Sequence, residues 1–248
     1  MAYVYISKTN DPFVNIATEE YLYSQLRYLD RIYMLWINSP SVFIGKYQCP
    51  EAEADIDYIK DNGISVIRRI SGGGTVYHDL GNLNMTIIEN EMAKGVGFDM
   101  SVFSESVRSL LRRYDIDLIR SPRGDLKYNG LKVAGSAQAM KQGRIMYHLC
   151  MLFDTDLSVL ERVLQGDVSK YSRVDSVRSK VANIKSFVPH IKDTREFMDF
   201  LLSEIENKEG RLEELYLNDD SFHTYISKSI ADKFGNKLWT FSDIGIRR

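Results

Sequence analysis

Short runs of alternating apolar residues and longer runs with helical spacing follow one another along the chain. In the N-terminal part, alternation together with β-branched or aromatic residues predicts strands, and apolar residues three or four positions apart predict helices. The predicted strands are residues 3–6, 32–37, 42–44, 64–69, 75–78 and 83–88, and the predicted helices are residues 13–27 and 52–62. Gly63 follows the second helix and is expected to end it.

The second half of the chain carries the same two patterns with less regular spacing. The predicted elements are a helix between Phe103 and Tyr114 with Ser101 as its N-cap, four short β-segments that end with residues 145–153, a short helix over residues 157–164, and helices after Pro189. Asn129-Gly130 is the expected hairpin turn among the β-segments. Because strands and helices are interleaved without a regular βαβ rhythm, the pattern predicts a single α+β domain over residues 1–248, with mixed β-sheets flanked by helices.

The overall composition is that of a folded globular chain. Of the 248 residues, 44% are hydrophobic and 27% are charged, and no apolar run reaches the roughly 18 residues of a membrane-spanning helix. The formal net charge of −2 argues against a nucleic-acid partner, because such proteins usually carry a basic excess. Cys49 and Cys150 give neither a disulfide framework nor a metal-binding spacing. We therefore expect a cytoplasmic protein without a membrane or nucleic-acid partner.

A run of three glycines, residues 72–74, lies between two predicted strands. Glycine has no Cβ, so such a run lets the backbone approach a ligand and direct N–H groups at it. A flexible hairpin turn is the structural alternative. The flanks favour a binding site, because Arg68 and Arg69 precede the glycines and His78 and Asp79 follow them. Cationic and hydrogen-bonding groups at both rims of a small pocket suit a phosphate or a carboxylate.

The sequence around the glycines resembles the signature of the lipoate–protein ligase A family, whose members attach lipoic acid to lysines of acceptor proteins. The similar stretch is residues 68–82, Arg-Arg-Ile-Ser-Gly-Gly-Gly-Thr-Val-Tyr-His-Asp-Leu-Gly-Asn. Four further segments resemble family motifs in the family's order, namely residues 39–48, 123–126, 130–137 and 177–184. The resemblance implies the biotin/lipoate ligase-like catalytic fold. It also implies ATP-dependent activation of lipoate to lipoyl-AMP and transfer of the lipoyl group to a lysine.

The resemblance further implies which residues form the site. Lys132 is the expected catalytic residue, a fixed cation that stabilises charge while the carboxylate attacks the α-phosphate of ATP. ATP and Mg²⁺ are the expected cofactors, and Asp125 is either a Mg²⁺ ligand or a turn aspartate. The expected contacts to lipoate or lipoyl-adenylate are Arg69, Ser71, Gly72, Gly73, Gly74, His78, Asn82, Asn84, Gly135, Ser136, Ala137 and His148.

Several of these residues have a structural alternative. His78 either orients the substrate or is a buried histidine tied to the loop backbone. Asn82 and Asn84 either fix the loop by hydrogen bonds or contact adenine. His148 lies where the family usually has His-Gly-Thr-Leu-Leu, and this chain keeps the histidine but lacks the Gly-Thr. The departure removes a threonine hydroxyl and makes this wall of the expected pocket more apolar.

Three other functions compete with the ligase. An ATP-independent octanoyl- or lipoyl-transferase on the same fold would need a nucleophilic cysteine. Cys150 shares a strand face with His148, but its position does not match the nucleophile of those transferases. A non-catalytic lipoate-binding module would not need Arg69, Asp125 and Lys132 together. A biotin ligase is disfavoured because the Gly-Arg-Gly-Arg type of loop is absent from the sequence.

The resemblance implies three kinds of partner. These are lipoate, lipoyl acceptor domains of the 2-oxoacid dehydrogenase E2 or glycine cleavage H protein type, and a separately encoded small accessory subunit. Full-length family members continue into a small accessory domain, which would begin here near residues 234–239. We therefore expect the C-terminal accessory domain to be absent and a second polypeptide to supply it. The sequence leaves open which acceptor is used and whether lipoate or octanoate is preferred.

Overall fold

The computed structural model describes residues 1–90, 100–167 and 176–242, which form two β-sheets flanked by helices. The strands of these ranges are β1 Ala2–Ile6, β2 Arg31–Trp36, β3 Ser41–Ile44, β4 Ser65–Arg68, β5 Val76–His78, β6 Asn82–Asn90, β7 Ile119–Arg120, β8 Leu126–Tyr128, β9 Leu131–Lys141, β10 Arg144–Leu152 and β11 Leu212–Glu214. The α-helices are α1 Pro12–Ser24, α2 Pro50–Glu53, α3 Ile56–Asp61, α4 Glu105–Arg112, α5 Leu157–Val163, α6 Thr194–Glu209, α7 Asp220–Ser229 and α8 Lys237–Phe241.

Both sheets contain parallel and antiparallel pairs. The larger sheet has the strand order β11-β1-β2-β6-β10-β9-β8-β7. In it, β1 runs parallel to β2 and β11, and the remaining neighbours are antiparallel. The smaller sheet has β3 at its centre, parallel to β4 and antiparallel to β5. The prediction of an α+β fold with mixed sheets is therefore confirmed.

Alternation along β2 divides the interior into two layers, because successive side chains point to opposite faces of a strand. Leu35 belongs to the core layer that includes residues of α4 and α6. Met34 and Trp36 belong to the opposite layer, which includes residues of α1 and α7. α1 begins at Pro12 because Asp11 caps it, accepting hydrogen bonds from the first backbone N–H groups of the helix. This layer between α1 and the sheet contains part of the candidate site.

Two predicted turns are confirmed by their backbone angles. Asn129 and Gly130 both have positive φ, 49° and 79°, and join β8 to β9 with two residues. This is the backbone of a type I′ hairpin turn, which Asn-Gly favours. Gly63 follows α3 with a φ of 63°, the left-handed conformation that glycine adopts at helix ends. Both turns thus depend on residues that tolerate positive φ.

Other predicted elements are wrong in detail. The single helix over residues 52–62 is two short helices, because Ala54 is extended and Asp55 caps a new helix by accepting from the Tyr58 N–H. Ser101 is not the N-cap of α4, which begins at Glu105 after a 3₁₀ turn over Met100–Ser104. The helix predicted over residues 13–27 ends at residue 24. The strand β11 was not predicted, because its three residues carry no alternation of apolar and polar side chains.

The position of Arg68 before the glycines had suggested that it lines the candidate pocket, but it does not. Its side chain is buried, 1% exposed, and donates to backbone carbonyls on two segments. Nη1 donates to the carbonyls of Lys46 and Gln48 at 2.9 and 2.7 Å, and Nη2 donates to that of Thr240 at 2.6 Å. The indole N–H of Trp239 donates to the Arg68 carbonyl at 2.8 Å. Arg68 therefore fastens the C-terminal segment to the turn that follows β3.

We predict that Arg68→Met lowers the free energy of unfolding by about 3 kcal/mol or more, because several buried carbonyls lose their donor and each unpaired group costs about 1–3 kcal/mol. The measurement is urea unfolding followed by circular dichroism. Arg195→Ala, which removes an exposed guanidinium on α6, is the matched control and should be nearly neutral. A loss for Arg68→Met no larger than for the control would contradict the fastening role.

Candidate active site

The floor of the candidate site is a row of residues across four neighbouring strands. Trp36 of β2 is paired with Asn84 of β6, Asn84 with Cys150 of β10, and Cys150 with Gly135 of β9. Adjacent strands lie about 4.8 Å apart, so this row spans about 14 Å. All four residues line a cavity of about 420 Å³. The cavity is therefore an elongated slot that crosses the large sheet.

The glycine loop between β4 and β5 covers this floor. Gly73 has a φ of 86°, and a Cβ built on it would lie 3.2 Å from the Ala137 Cβ of β9. A Cβ on Gly45 would lie only 2.1 Å from the Gly73 carbonyl oxygen. The Lys46 N–H donates to the Ser71 carbonyl at 2.9 Å. The absence of Cβ atoms thus lets the loop lie between the turn after β3 and the floor.

Arg69 fixes the glycine loop from within. Its Nη2 donates to the carbonyls of Gly72 and Gly74 at 2.7 and 2.6 Å, and its Nε donates to the Ser71 hydroxyl at 3.0 Å. Burial lowers the pKa of Arg69 to about 10, so the guanidinium remains charged at neutral pH. Arg69 lines the cavity, but these donors serve the loop. Arg69 therefore brings a positive charge to the cavity and maintains the shape of the loop.

Lys132 lies at one end of the slot. Its Nζ is 2.8 Å from Oδ1 of Asp125, and the two side chains are 22% and 18% exposed. A Cβ on Gly135 would lie 3.0 Å from this Nζ, so the glycine provides the space for the ammonium group. The Lys132 backbone pairs with Lys180 and Ala182, which fixes the residue on both sides. A cation with an adjacent carboxylate therefore defines a polar end of the cavity.

The opposite end of the slot is formed largely by apolar side chains, together with His78 and Arg69. Ile16 and Trp36 line it, and the His78 ring stacks on Phe43 with centroids 4.5 Å apart. Burial, with smaller contributions from the Arg69 charge and the neighbouring His148, lowers the pKa of His78 to about 3. His78 is thus a neutral ring at neutral pH. The cavity combines one charged end with one end suited to a hydrocarbon or other apolar group.

Glu19, which the sequence analysis missed, connects α1 to the glycine loop. Its Oε1 lies 3.0 Å from His148 Nδ1, and His148 Nε2 lies 2.8 Å from the Ser71 hydroxyl. The order serine–histidine–carboxylate matches the geometry of a nucleophilic triad. However, Ser71 is 0% exposed, is absent from the cavity lining, and accepts a hydrogen bond from Arg69. This network therefore fixes the loop to α1 through β10.

The residues predicted to contact the substrate are only partly brought together. Those that line the cavity are Arg69, Gly73, Gly74, His78, Asn84, Asp125, Lys132, Gly135, Ser136, Ala137 and His148. Ser71, Gly72 and Asn82 do not line it, and their contacts to the substrate stay predictions. Asn82 instead fixes the turn between β5 and β6. Its side chain accepts from the Asp79 N–H at 2.8 Å and donates to the Cys150 sulfur at 3.3 Å.

Ser176 and Gln48 were also missed by the sequence analysis. The Ser176 hydroxyl accepts from the Thr75 N–H at 2.9 Å and from Gln48 Nε2 at 3.1 Å. Gln48 Oε1 in turn accepts from the Thr75 hydroxyl at 2.8 Å. These bonds connect the segment that begins at Ser176 to the end of the glycine loop. No short sequence pattern marks a contact between residues about a hundred positions apart.

Cys150 lines the cavity but lacks the environment of a nucleophile. Burial raises the pKa of its thiol to about 12, and the charge of Lys132 acts in the opposite direction without restoring a low value. A catalytic cysteine instead needs a lowered pKa, since the thiolate is the reactive form. The thiol is therefore protonated at neutral pH, as expected for a packed cysteine.

A metal site made by the protein alone is not found in the described ranges, where no group of three histidine, cysteine or acidic side chains converges. Asp125 nevertheless fits a Mg²⁺ ion that takes most of its ligands from phosphate oxygens, because one carboxylate is a common protein contribution to such an ion. In the same ranges, no helix is long and apolar enough to cross a membrane.

Residues 11–206 match the family model of the lipoyl protein ligase A/B catalytic domain. The chain is 34% identical over 246 residues to lipoate-protein ligase LplJ of Bacillus subtilis, covering 97% of this chain and 73% of that protein. It is 32% identical over 242 residues to lipoate–protein ligase 1 of Staphylococcus aureus, covering 96% of this chain and 73% of that protein. These matches extend well beyond the glycine motif.

Solved structures give the same result for the fold. A bi-partite lipoate protein ligase from Thermoplasma acidophilum, solved in a study that includes its E2 lipoyl domain, has a TM-score of 0.80 at 26% identity and covers 98% of this chain and 96% of that chain. A lipoate-protein ligase A bound with ATP has a TM-score of 0.78 at 25% identity. The match covers 98% of this chain and 99% of that chain.

This chain belongs to the lipoyl protein ligase A/B catalytic domain family, as the motif resemblance predicted. It is an enzyme, a lipoate–protein ligase with the biotin/lipoate ligase type of α+β fold. The alternatives of a cysteine-dependent transferase and a non-catalytic module are set aside, because the relatives are named ligases and Cys150 is a protonated thiol.

We predict that Cys150→Ser retains most of the acyl-transfer activity and that the wild-type enzyme forms no acyl-thioester. The reason is that a thiol with a pKa near 12 contributes almost no thiolate at neutral pH. Intact-mass spectrometry after acid quenching during turnover would detect an acyl-enzyme, and initial rates compare the two proteins. An acyl adduct that maps to Cys150, or loss of all turnover in the serine variant, would move the chain to the transferase class.

Proposed function

We propose that this chain activates lipoate with ATP at Lys132 and then transfers the lipoyl group to a lysine of a lipoyl acceptor domain. One observation carries the proposal: Lys132 lines both the slot described above and a second cavity of about 700 Å³. An adenylation site needs two binding spaces that meet at a fixed cation, one for the acid and one for the nucleotide. Lys132 is such a cation, because it lines both cavities.

The slot suits lipoate, a straight-chain acid whose far end is a cyclic disulfide. Its carboxylate would lie near Lys132, and its chain would cross Gly135, Cys150 and Asn84 towards Trp36. The apolar end matches the disulfide ring in polarity, and the charged end matches the carboxylate. The structures similar to this chain include one of a lipoate protein ligase with bound lipoic acid, which supports the assignment.

The second cavity suits the nucleotide. Arg178 and Lys180 line it beside Lys132, and leucine side chains of α5 provide an apolar wall. Cations at one side would neutralise a triphosphate, and the apolar wall would cover the base. Asp125 would hold Mg²⁺ together with the phosphate oxygens, and Mg²⁺ would supply charge neutralisation at the leaving pyrophosphate. ATP use is supported by the similar ligase structure that contains ATP.

The proposed chemistry has two steps. A carboxylate oxygen of lipoate attacks the α-phosphorus of ATP, the bond to pyrophosphate breaks, and lipoyl-AMP forms. The neutral amine of the acceptor lysine then attacks the acyl carbon, AMP leaves with the bridging oxygen, and the amine loses a proton to solvent. In both steps negative charge develops on oxygens near Lys132 Nζ, which stabilises it by a preorganised electrostatic interaction.

The acceptor is proposed to be a lipoyl domain of the 2-oxoacid dehydrogenase E2 or glycine cleavage H protein type. Support comes from the similar bi-partite ligase that was studied with its E2 lipoyl domain. The acceptor lysine would attack at the polar end of the slot, where the acyl carbon would lie. These acceptors and this chain would share the cytoplasm.

We predict that Lys132→Ala reduces lipoylation by at least about 10²–10³-fold and leaves the fold intact, because a preorganised charge at a reacting oxygen has this effect on rate. Lipoate, ATP and Mg²⁺ are incubated with an apo acceptor domain, and the mass increase of the acceptor is followed with time. Lys141→Ala, an exposed lysine on the same strand β9, is the matched control. Near-normal activity of a well-folded Lys132→Ala protein would refute the assignment.

We further propose that a separate small polypeptide completes adenylation. The similar Thermoplasma ligase is bi-partite, which supports this proposal. An added domain that closes over the site would exclude water from the adenylate. Without it, transfer from preformed lipoyl-AMP should persist, while adenylation should be slow.

Pyrophosphate release by the purified chain with lipoate and ATP, compared with lipoyl transfer from synthetic lipoyl-AMP, tests this requirement. We expect transfer from lipoyl-AMP to be fast and pyrophosphate release to be slow until the partner is added. Fast adenylation by the chain alone would show that no partner is needed, and it would leave the proposal for Lys132 unaffected.

A further inference from the structure

Two lysines face each other across neighbouring strands at the polar end of the slot. In the register of β8 and β9, Lys127 is directly opposite Lys132. Residues in such positions have Cβ atoms about 4.5–5.5 Å apart, and like charges there destabilise a sheet. The Asp125 carboxylate lies against Lys132 Nζ, whereas Lys127 has no ion-pair partner among the residues that the structure describes. Lys127 therefore adds a positive charge that does not stabilise the fold.

The neighbours of Lys127 on β8 show which face of the sheet it occupies. Leu126 and Tyr128 both pack against the core layer that includes residues of α4 and α6. Because side chains alternate along a strand, Lys127 points to the opposite face, which it shares with the slot-lining Lys132. Lys127 is partly exposed and lines neither cavity. It therefore belongs to the rim of the slot and not to its interior.

The rim also carries an exposed apolar side chain. Ile119 on the edge strand β7 is directly opposite Lys127 and is 69% exposed. A second cation, Arg123, is exposed in the loop between β7 and β8 and lines the slot. A small anion such as phosphate needs only charge and hydrogen-bond donors, whereas protein-binding surfaces combine apolar and polar side chains. The composition of this rim therefore suits a protein partner.

The charge of this region differs from that of the whole chain. Residues 118–132 contain four lysines and arginines and one aspartate, and residues 176–192 contain four lysines and arginines and no acidic residue. The two segments meet where the Lys132 backbone pairs with Lys180 and Ala182. The formal net charge of the chain is −2, so positive charge is concentrated beside the polar end of the slot. Such a patch attracts and orients a partner that carries carboxylates.

We infer that Lys127 binds a carboxylate of the acceptor domain that lies beside the acceptor lysine on the surface of that domain. This inference rests on the proposed function, in which the acceptor lysine attacks next to Lys132. An acceptor carboxylate at Lys127 would offset the repulsion between the two lysines, so a charge that is unfavourable in the free enzyme becomes favourable in the complex. The rim thus selects acceptors with an acidic side chain close to the lysine, a choice that the sequence left open.

We expect Lys127→Gln to raise the KM for the acceptor domain about 5-fold and to leave kcat nearly unchanged, because a rim charge acts on docking and not on the reacting atoms. Initial rates of lipoyl transfer from synthetic lipoyl-AMP are measured against acceptor concentration, at low and at high salt. The difference from wild type should shrink at high salt, where exposed charges are screened. Lys141→Gln, an exposed lysine at the other end of β9, is the matched control and should keep the wild-type KM.

A charge-swap experiment identifies the partner group. In the acceptor, each acidic residue near the target lysine is replaced by lysine in turn, and every acceptor is tested with the wild-type chain and with Lys127→Glu. We expect Lys127→Glu to lower kcat/KM for the unchanged acceptor about 10-fold. One lysine-substituted acceptor should recover most of this loss with Lys127→Glu, since opposite charges then face each other again. Thermal unfolding should show Lys127→Gln to be no less stable than wild type, because the substitution removes a like-charge neighbour.

A wild-type acceptor KM for Lys127→Gln, or no recovery with any substituted acceptor, would overturn the inference. Slower pyrophosphate release from lipoate and ATP with an unchanged acceptor KM would also overturn it, because Lys127 would then bind the nucleotide phosphates. Transfer by the wild-type chain in the same assays keeps this inference separate from the proposed function. If the wild-type chain lipoylates no acceptor domain of either type, the proposed function fails and the inference fails with it.

Discussion

The close approach of two stretches of backbone, at Gly45 and Gly73, is the contact on which the site depends. A Cβ at Gly45 would lie 2.1 Å from the Gly73 carbonyl oxygen, so neither a larger residue nor a displaced loop is compatible with this packing. Arg69 then fixes the loop by donating to the carbonyls of Gly72 and Gly74. With the loop in this position, the row of residues across the large sheet becomes a covered slot.

The two ends of the slot differ chemically because their polar groups have different partners and different degrees of burial. Lys132 keeps a carboxylate partner at one end, and Gly135 gives its ammonium group room. At the centre, burial keeps the Cys150 thiol protonated, and at the other end it keeps His78 neutral. Lys132 and Asp125 therefore form a charged end of the slot, whereas Cys150 and His78 are neutral. This distribution suits activation of an acid with an apolar tail.

The sequence predicted much of this arrangement, because its informative signals are local. Asn129-Gly130 specifies a hairpin turn by its own backbone preferences, and the glycine run marks a close approach before any partner is known. Long-range contacts were not predicted. Arg68 ends β4 and Arg69 directly follows it, yet Arg68 fastens the C-terminal segment while Arg69 fixes the loop. Glu19 carries no motif, and only packing of α1 against β10 identifies it.

The proposed reaction begins when a lipoate oxygen attacks the α-phosphorus of ATP beside Lys132. The most direct measurement uses lipoate labelled with oxygen-18 in its carboxylate, together with ATP, Mg²⁺, the apo acceptor domain and the partner subunit if one is required. Mass spectrometry of the products then locates the label. We predict one labelled oxygen in each AMP molecule that is released with lipoylated acceptor. Label in inorganic phosphate alongside ADP, or lipoylation with no labelled AMP, would contradict it.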